Sequence, residues 1–134
     1  MDCIFCKIVS GEIPSARVFE DDNVIAFLDI RPIAKGHTLI VPKKHLTDLR
    51  DADYETLCHL MGAVKKIAPS VMTAVGADGF NLGGNNGPAS GQEVMHLHLH
   101  IIPRHFNDGL PRWPHNAYAE GEREGLAEKI RAVL

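Results

Sequence analysis

Residues 96–102 read His96-Leu97-His98-Leu99-His100-Ile101-Ile102, a strict alternation of imidazole and aliphatic side chains. Successive side chains of a strand point to opposite faces, so a period of two assigns each residue type to one face. The alternation predicts a strand over Val94–Ile102 with Leu97, Leu99 and Ile101 in a core and the three histidines on the other face. A slip of one residue would bury the imidazoles and expose the aliphatics, so the register is firmly set. The chain must therefore build a sheet that carries a histidine-lined face. Of its eight histidines, four (His96, His98, His100 and His105) fall within residues 96–105.

The flanking sequence supplies the rest of an α+β domain. Residues 2–10 are expected to form a short helix with Ile4, Phe5, Ile8 and Val9 on one side, ended by Gly11 and Pro14. Arg17–Glu20 and Val24–Asp29 flank Asp21-Asp22-Asn23 and read as a hairpin. His37–Val41 is a further strand, stopped by Pro42. The longest helix is expected from about Asp53 to Val75, where Leu57, Leu60, Met61, Val64, Ile67, Ala68, Val71, Met72 and Val75 keep three-to-four spacing. An Asp at position 51 or 53 can cap it, and Gly76 suits its end. Pro69 should kink or split it. Gly79–Leu82 reads as a strand, Gly83–Gly91 as a loop, and 118–133 as a last helix with Leu126, Ile130 and Val133 as its stripe. Hairpin-linked strands with helices grouped on one side give α+β with an antiparallel sheet and one long central helix.

Composition removes several classes of function. With 14 Lys plus Arg against 17 Asp plus Glu, the net charge of −3 offers no basic face for duplex nucleic acid. No apolar run reaches the roughly 20 residues of a membrane span. The opening Met1-Asp2-Cys3-Ile4 is too short and acidic for a secretory leader, and three cysteines are no disulfide framework. The expectation is a cytoplasmic protein that binds neither nucleic acid nor membrane.

A histidine-lined strand can serve metal binding or nucleophilic catalysis. Cβ atoms of His96 and His100 would stand about 13 Å apart in a regular strand. Two imidazoles meeting at one ion span only about 11 Å between their Cβ atoms. One ion cannot therefore take all three, although it can take one or two with ligands from elsewhere. Alternatively, a neutral imidazole can attack phosphorus while a neighbour about 6.6 Å along the face holds a phosphate oxygen. Gly83–Gly91 lacks the Walker pattern but can present backbone N–H groups to phosphate.

Cys3 and Cys6 form a C-x-x-C pair with three readings. A thioredoxin-like redox pair needs a preceding strand for which there is no room. Two unrelated core thiols and half of a structural zinc site remain. Cys58, beside Leu57, is expected to pack on the long helix.

The pattern His-φ-His-φ-His-φ-φ, with φ apolar, resembles the signature of the histidine-triad (HIT) nucleotide hydrolases and transferases. The likeness extends through Ile4–Ile8, Glu12-Ile13-Pro14, Glu20–Asp22, Ala26–Ile30, Gly36–His45 and Gly91-Gln92, in the family's order. It covers roughly residues 3–104 and implies a single histidine-triad domain over 1–134, with 104–134 a tail and helix. By resemblance, His98 is the nucleophile that attacks the α-phosphorus of a purine nucleoside phosphoramidate. A nucleotidyl-histidine forms, and water releases the monophosphate. His100 would hold a phosphate oxygen and Asp29 the ribose hydroxyls. Phe5, Ile8, Phe27 and Ile30 would wall the base, while Asn85 and Gln92 would stand beside the phosphate. The alternatives are a dinucleoside polyphosphate hydrolase and a nucleotide-binding regulator with little turnover.

The resemblance also implies one structural zinc per chain, held by Cys3, Cys6, His45 and His96 in the zinc-containing, Hint-like branch. This removes His96 from acid–base work. A homodimer is expected, with Trp113-Pro114 covering the site or a partner subunit. In one respect the chain departs from the pattern. Several relatives carry Ser or Thr after the Gly-Gln pair where this chain has Glu93, whose carboxylate must point away from phosphate or act on water or the leaving group.

Overall fold

The computed structural model describes residues 2–134. The chain runs α1 (Ile4–Ser10), β1 (Arg17–Glu20), β2 (Val24–Leu28), β3 (Thr38–Pro42), α2 (Tyr54–Val75), β4 (Gly79–Gly83), β5 (Leu99–Arg104) and α3 (Glu122–Arg131). The strands form one antiparallel sheet in the order β1-β2-β3-β5-β4. No helix among the described residues is long and apolar enough to cross a membrane.

The central strands are buried on both faces, and this corrects the expectation of helices grouped on one side. Val24, Ala26 and Ile40 pack with Leu60, Val64, Ile67 and Val71 of α2, whereas Ile25, Phe27, Leu39 and Val41 pack with Phe5 and Ile8 of α1. The period of two splits each strand between the helices. β2 and β3 read as continuous apolar runs because both faces are covered. Val24, Ile25, Ile40 and Ile101 are wholly buried, each such side chain stabilising the fold by about 2 kcal/mol.

α2 runs unbroken through Pro69. Pro69, Lys65 and Lys66 are all exposed, so the carbonyl that loses its helical donor faces water. Asp53 caps the start, its carboxylate accepting the Thr56 N–H at 2.8 Å. At the turn into β3, Gly36 has φ +95°, and a Cβ there would stand 2.9 Å from Val75 Cγ1. Only glycine meets both demands.

Two boundaries differ from expectation. The final helix is shorter, Glu122–Arg131, and buries none of its residues. The strand predicted over Val94–Ile102 is Leu99–Arg104. His96 and His98 precede the ladder because their segment is bonded elsewhere: the Leu97 N–H donates to the Leu46 carbonyl at 2.6 Å. The alternation nonetheless survives. Leu97, Leu99 and Ile101 pack in the α2 core while His96 and His98 face Phe5 of α1.

Candidate active site

The three histidines sit in a row under α1. The rings of His98 and His100 are 4.9 Å apart, and Phe5 stands edge-on to His98 at 5.0 Å and to Phe27 at 5.6 Å. Each imidazole has one nitrogen committed, and the partner's chemistry dictates which.

A carbonyl can only accept, so His98 Nδ1–H donates to the His96 carbonyl at 2.6 Å and the lone pair of the neutral ring lies on Nε2. His96 Nε2–H donates to the Pro42 carbonyl at 2.8 Å, leaving its lone pair on Nδ1. His100 is set by a relay. The Ile33 N–H donates to His37 Nδ1 at 3.1 Å, so the proton of a neutral His37 lies on Nε2. That Nε2–H meets His100 Nδ1 at 2.8 Å. His100 Nδ1 therefore accepts, and its own proton sits on Nε2. Burial, with His98 and His37 close by, pushes the His100 pKa down to about 4. Burial also lowers His37 and His96. All three are neutral near pH 7, as these assignments require.

His37 is the residue that sequence reading missed. It is buried beneath Asp29, Nε2 to Oδ2 3.8 Å. Its signal was register: Leu39 pairs directly with His100, so His37, two residues away, shares their face as the diagonal neighbour. Asp29, His37 and His100 are close enough to suggest a metal site. The relay already uses both His37 nitrogens and His100 Nδ1, so hydrogen bonding explains the cluster. Asp29 Oδ1 accepts the Arg31 N–H at 2.8 Å, which makes the residue a turn cap as well as a candidate ligand.

Other expected residues divide. Phe5, Ile8 and Phe27 gather on the α1 side of the sheet and are mostly buried. Ile30 is 94% exposed and packs against nothing in this structure. Asn85 lies half-buried in the glycine loop, and Asn86 ties that loop to Leu49. Gln92 is buried at the loop's base. Its Oε1 accepts the Gly87 N–H at 2.8 Å, and its Nε2 donates to the Thr47 and Val94 carbonyls at 2.7 and 3.1 Å. Both amide protons are spent in this structure, where Gln92 holds the loop. A cavity of about 600 Å³ between β4 and residues 104–112 is lined by His105 but by none of His96, His98 and His100.

Cys3, Cys6, His45 and His96 converge from three places in the chain. Cys3 Sγ and His96 Nδ1 are 3.5 Å apart, Cys6 Sγ and His96 Nδ1 3.6 Å, Cys6 Sγ and His45 Nδ1 3.3 Å, and the two Nδ1 atoms 3.2 Å. A tetrahedral zinc ion with bonds of about 2.0 Å to N and 2.3 Å to S has edges of about 3.3 Å (N···N) and 3.5 Å (N···S). The measured separations match those edges. The His96–Pro42 hydrogen bond also aims the free lone pair of His96 into the cluster, the usual support for an imidazole ligand. Burial and the neighbouring Cys3 raise the Cys6 thiol. Without a cation the two sulfurs resist ionising together. The donor set fits zinc.

The HIT domain family matches residues 10–107. The chain belongs to the HIT family. An uncharacterised HIT-like protein of Methanocaldococcus jannaschii is 52% identical over 107 residues, 80% of this chain and 82% of the relative. An adenosine 5′-monophosphoramidase of Schizosaccharomyces pombe is 39% identical over 136 residues, spanning 100% of this chain and 99% of its own. The crystal structure of a Zn-bound histidine triad family protein from Mycobacterium smegmatis superposes with a TM-score of 0.80 at 40% identity, covering 98% of each chain. The HIT fold thus confirms the expected α+β architecture.

Proposed function

We propose that this HIT protein hydrolyses purine nucleoside phosphoramidates through a nucleotidyl-histidine on His98. The observation that carries the reading is the hydrogen bond from His98 Nδ1–H to the His96 carbonyl, because it places an available lone pair on Nε2. Nε2 attacks the α-phosphorus, and the P–N bond to the amine breaks. Its electron pair leaves on the amine nitrogen, which takes a proton from water. A second water then attacks phosphorus, and the P–Nε2 pair returns to His98. The nucleoside monophosphate departs and the water's proton goes to solvent. His100 Nε2–H donates to a phosphate oxygen, a contact that strengthens as charge gathers there. The glycine loop, held by Gln92, presents N–H groups to the same phosphate. Asp29 receives the ribose hydroxyls, and Phe5, Ile8 and Phe27 form the apolar side on which the base rests. The full-length similarity to a monophosphoramidase supports the choice of leaving group.

Cys3, Cys6, His45 and His96 hold a structural zinc ion in this reading. Bound there, zinc links α1 to the segment after β3 and the segment before β5 and takes no part in the reaction. The protein acts as a homodimer. α3 supports this, since a ten-residue helix that buries nothing in its own chain is too short to persist alone. Its stripe of Leu126, Ile130 and Val133 needs a second copy to cover it.

The test is AMP release from an adenosine phosphoramidate by the parent and by His98→Ala, with acid quenching to trap adenylylated protein. Turnover and trapped label in the parent, both lost in the mutant, are expected. A folded, AMP-binding parent that releases nothing would overturn the proposal.

A further inference from the structure

Arg31 and Glu93 form an exposed ion pair, Nη2 to Oε2 3.3 Å, with their side chains 82% and 78% exposed. So exposed a pair adds little to stability, and the fold does not need it. The backbone on each side is nonetheless fixed. Arg31 donates its N–H to Asp29 at 2.8 Å. Glu93 follows the buried Gln92, pinned to Gly87 and Thr47, and stands three residues before His96. One partner therefore rises from the edge that carries Asp29, and the other from the segment that leads into the histidines. In the phosphoramidase reading, with the ribose at Asp29 on the Arg31 side, Glu93 is the charged group assigned to the leaving-group side.

We propose that Glu93, held by Arg31, selects the leaving group of the reaction by charge, favouring cationic amines over anionic ones. The inference rests on the phosphoramidase reading. A carboxylate beside an anionic phosphate raises the energy of any bound nucleotide unless a positive charge arrives with it. An amine that carries a second, protonated nitrogen supplies that charge. It replaces the guanidinium as the partner of Glu93, and Arg31 is released toward solvent. A leaving group that bears a carboxylate or phosphate gains no partner and meets repulsion. At a separation of about 6 Å and a near-aqueous dielectric, each unit of leaving-group charge changes the rate about fivefold.

The experiment uses three adenosine phosphoramidates of similar size, with 1,2-diaminoethane, propylamine or glycine linked to phosphorus through one nitrogen. Their free ends are cationic, neutral and anionic. The readout is the ratio of kcat/KM for the cationic to the anionic substrate, which cancels any general loss of activity. The parent should prefer the cation by about 25-fold across two units of charge, a ratio that shrinks as salt rises. Glu93→Gln should bring the ratio close to one. Arg31→Gln, which strips Glu93 of its counterion, should raise the ratio instead, a change that no structural loss would produce. An unchanged ratio in Glu93→Gln overturns this inference and leaves the phosphoramidase reading intact. If the folded parent releases AMP from none of the three, both fall together.

Discussion

Replacing His37 by phenylalanine keeps a flat ring in the core but removes both nitrogens of the relay. Two partners lose their bonds: the Ile33 N–H, 3.1 Å from Nδ1, and His100 Nδ1, 2.8 Å from Nε2. Ile33 is 56% exposed, so water reaches its N–H and the stability cost stays near the low end, about 1 kcal/mol. The catalytic effect has a different origin. His100 is no longer required to carry its proton on Nε2. A hydrogen bond between neutral groups is worth about 1 kcal/mol net, so the productive tautomer loses about fivefold in relative population. Deleting the donor itself, as in His100→Ala, should cost about 100-fold or more. His37→Phe should therefore lower kcat for an adenosine phosphoramidate by up to about fivefold, with KM nearly unchanged. His37→Gln can offer Oε1 to Ile33 and N–H to His100, and it should recover most of the loss. Ring ¹⁵N shifts of His100 report the tautomer directly. If His37→Phe leaves the proton on His100 Nε2, or if phenylalanine and glutamine lower kcat alike, the relay argument is wrong.

Three further outcomes follow from the same geometry. Elemental analysis of the parent should find one equivalent of zinc; removing it should lower Tm by about 10 °C or more, and Cys3→Ser or Cys6→Ser should lose both the metal and that stability. Full metal content in Cys6→Ser would refute the ligand set. His100, held near pKa 4 from an ordinary 6.5, contributes nothing to pH dependence above pH 6.5. As pH falls from 6.5 toward 4 the unfolded chain binds a proton that the folded one refuses. Up to about 3 kcal/mol of stability is lost over that window. Urea midpoints at several pH values should show this slope, and His100→Asn should flatten part of it. Gly36→Ala, with φ +95° and 2.9 Å of clearance, should destabilise by about 2 kcal/mol or more. Gly62→Ala, in open space on α2, should stabilise by about 0.5–1 kcal/mol, both read from thermal melts.

The sequence made some of these features legible and concealed others for identifiable reasons. A period of two placed the histidines opposite Leu97 and Ile101 because alternation survives even where the strand ladder does not. It could not place the start of β5, since the Leu97 N–H goes to the Leu46 carbonyl and the His98 Nδ1–H to the His96 carbonyl. The helices were assigned to one side because apolar spacing locates a buried face without saying which layer covers it. C-x-x-C spacing alone left three readings open. Its partners lie 39 to 93 residues away, a distance that only resemblance to the family could bridge. Gln92 entered as a candidate only through resemblance to the family, and its burial under the glycine loop is a tertiary fact.

His96, His98 and His100 are the same residue on the same face, yet the proposed function gives them three tasks. What separates them is the partner that each ring meets. The Pro42 carbonyl takes the Nε2 proton of His96 and leaves Nδ1 to the cysteines. The His96 carbonyl takes the Nδ1 proton of His98 and leaves Nε2 to attack phosphorus. His37 gives a proton to Nδ1 of His100 and so keeps an N–H on Nε2 to donate. Two of the three partners are backbone atoms, which no side-chain substitution removes without moving the chain. The division of labour in the triad is therefore set by the path of the backbone, and only the His100 role rests on a replaceable side chain. Substitution at His37 should consequently tune the rate, whereas the identities of ligand and nucleophile should change only when the Pro42 or His96 segment is displaced.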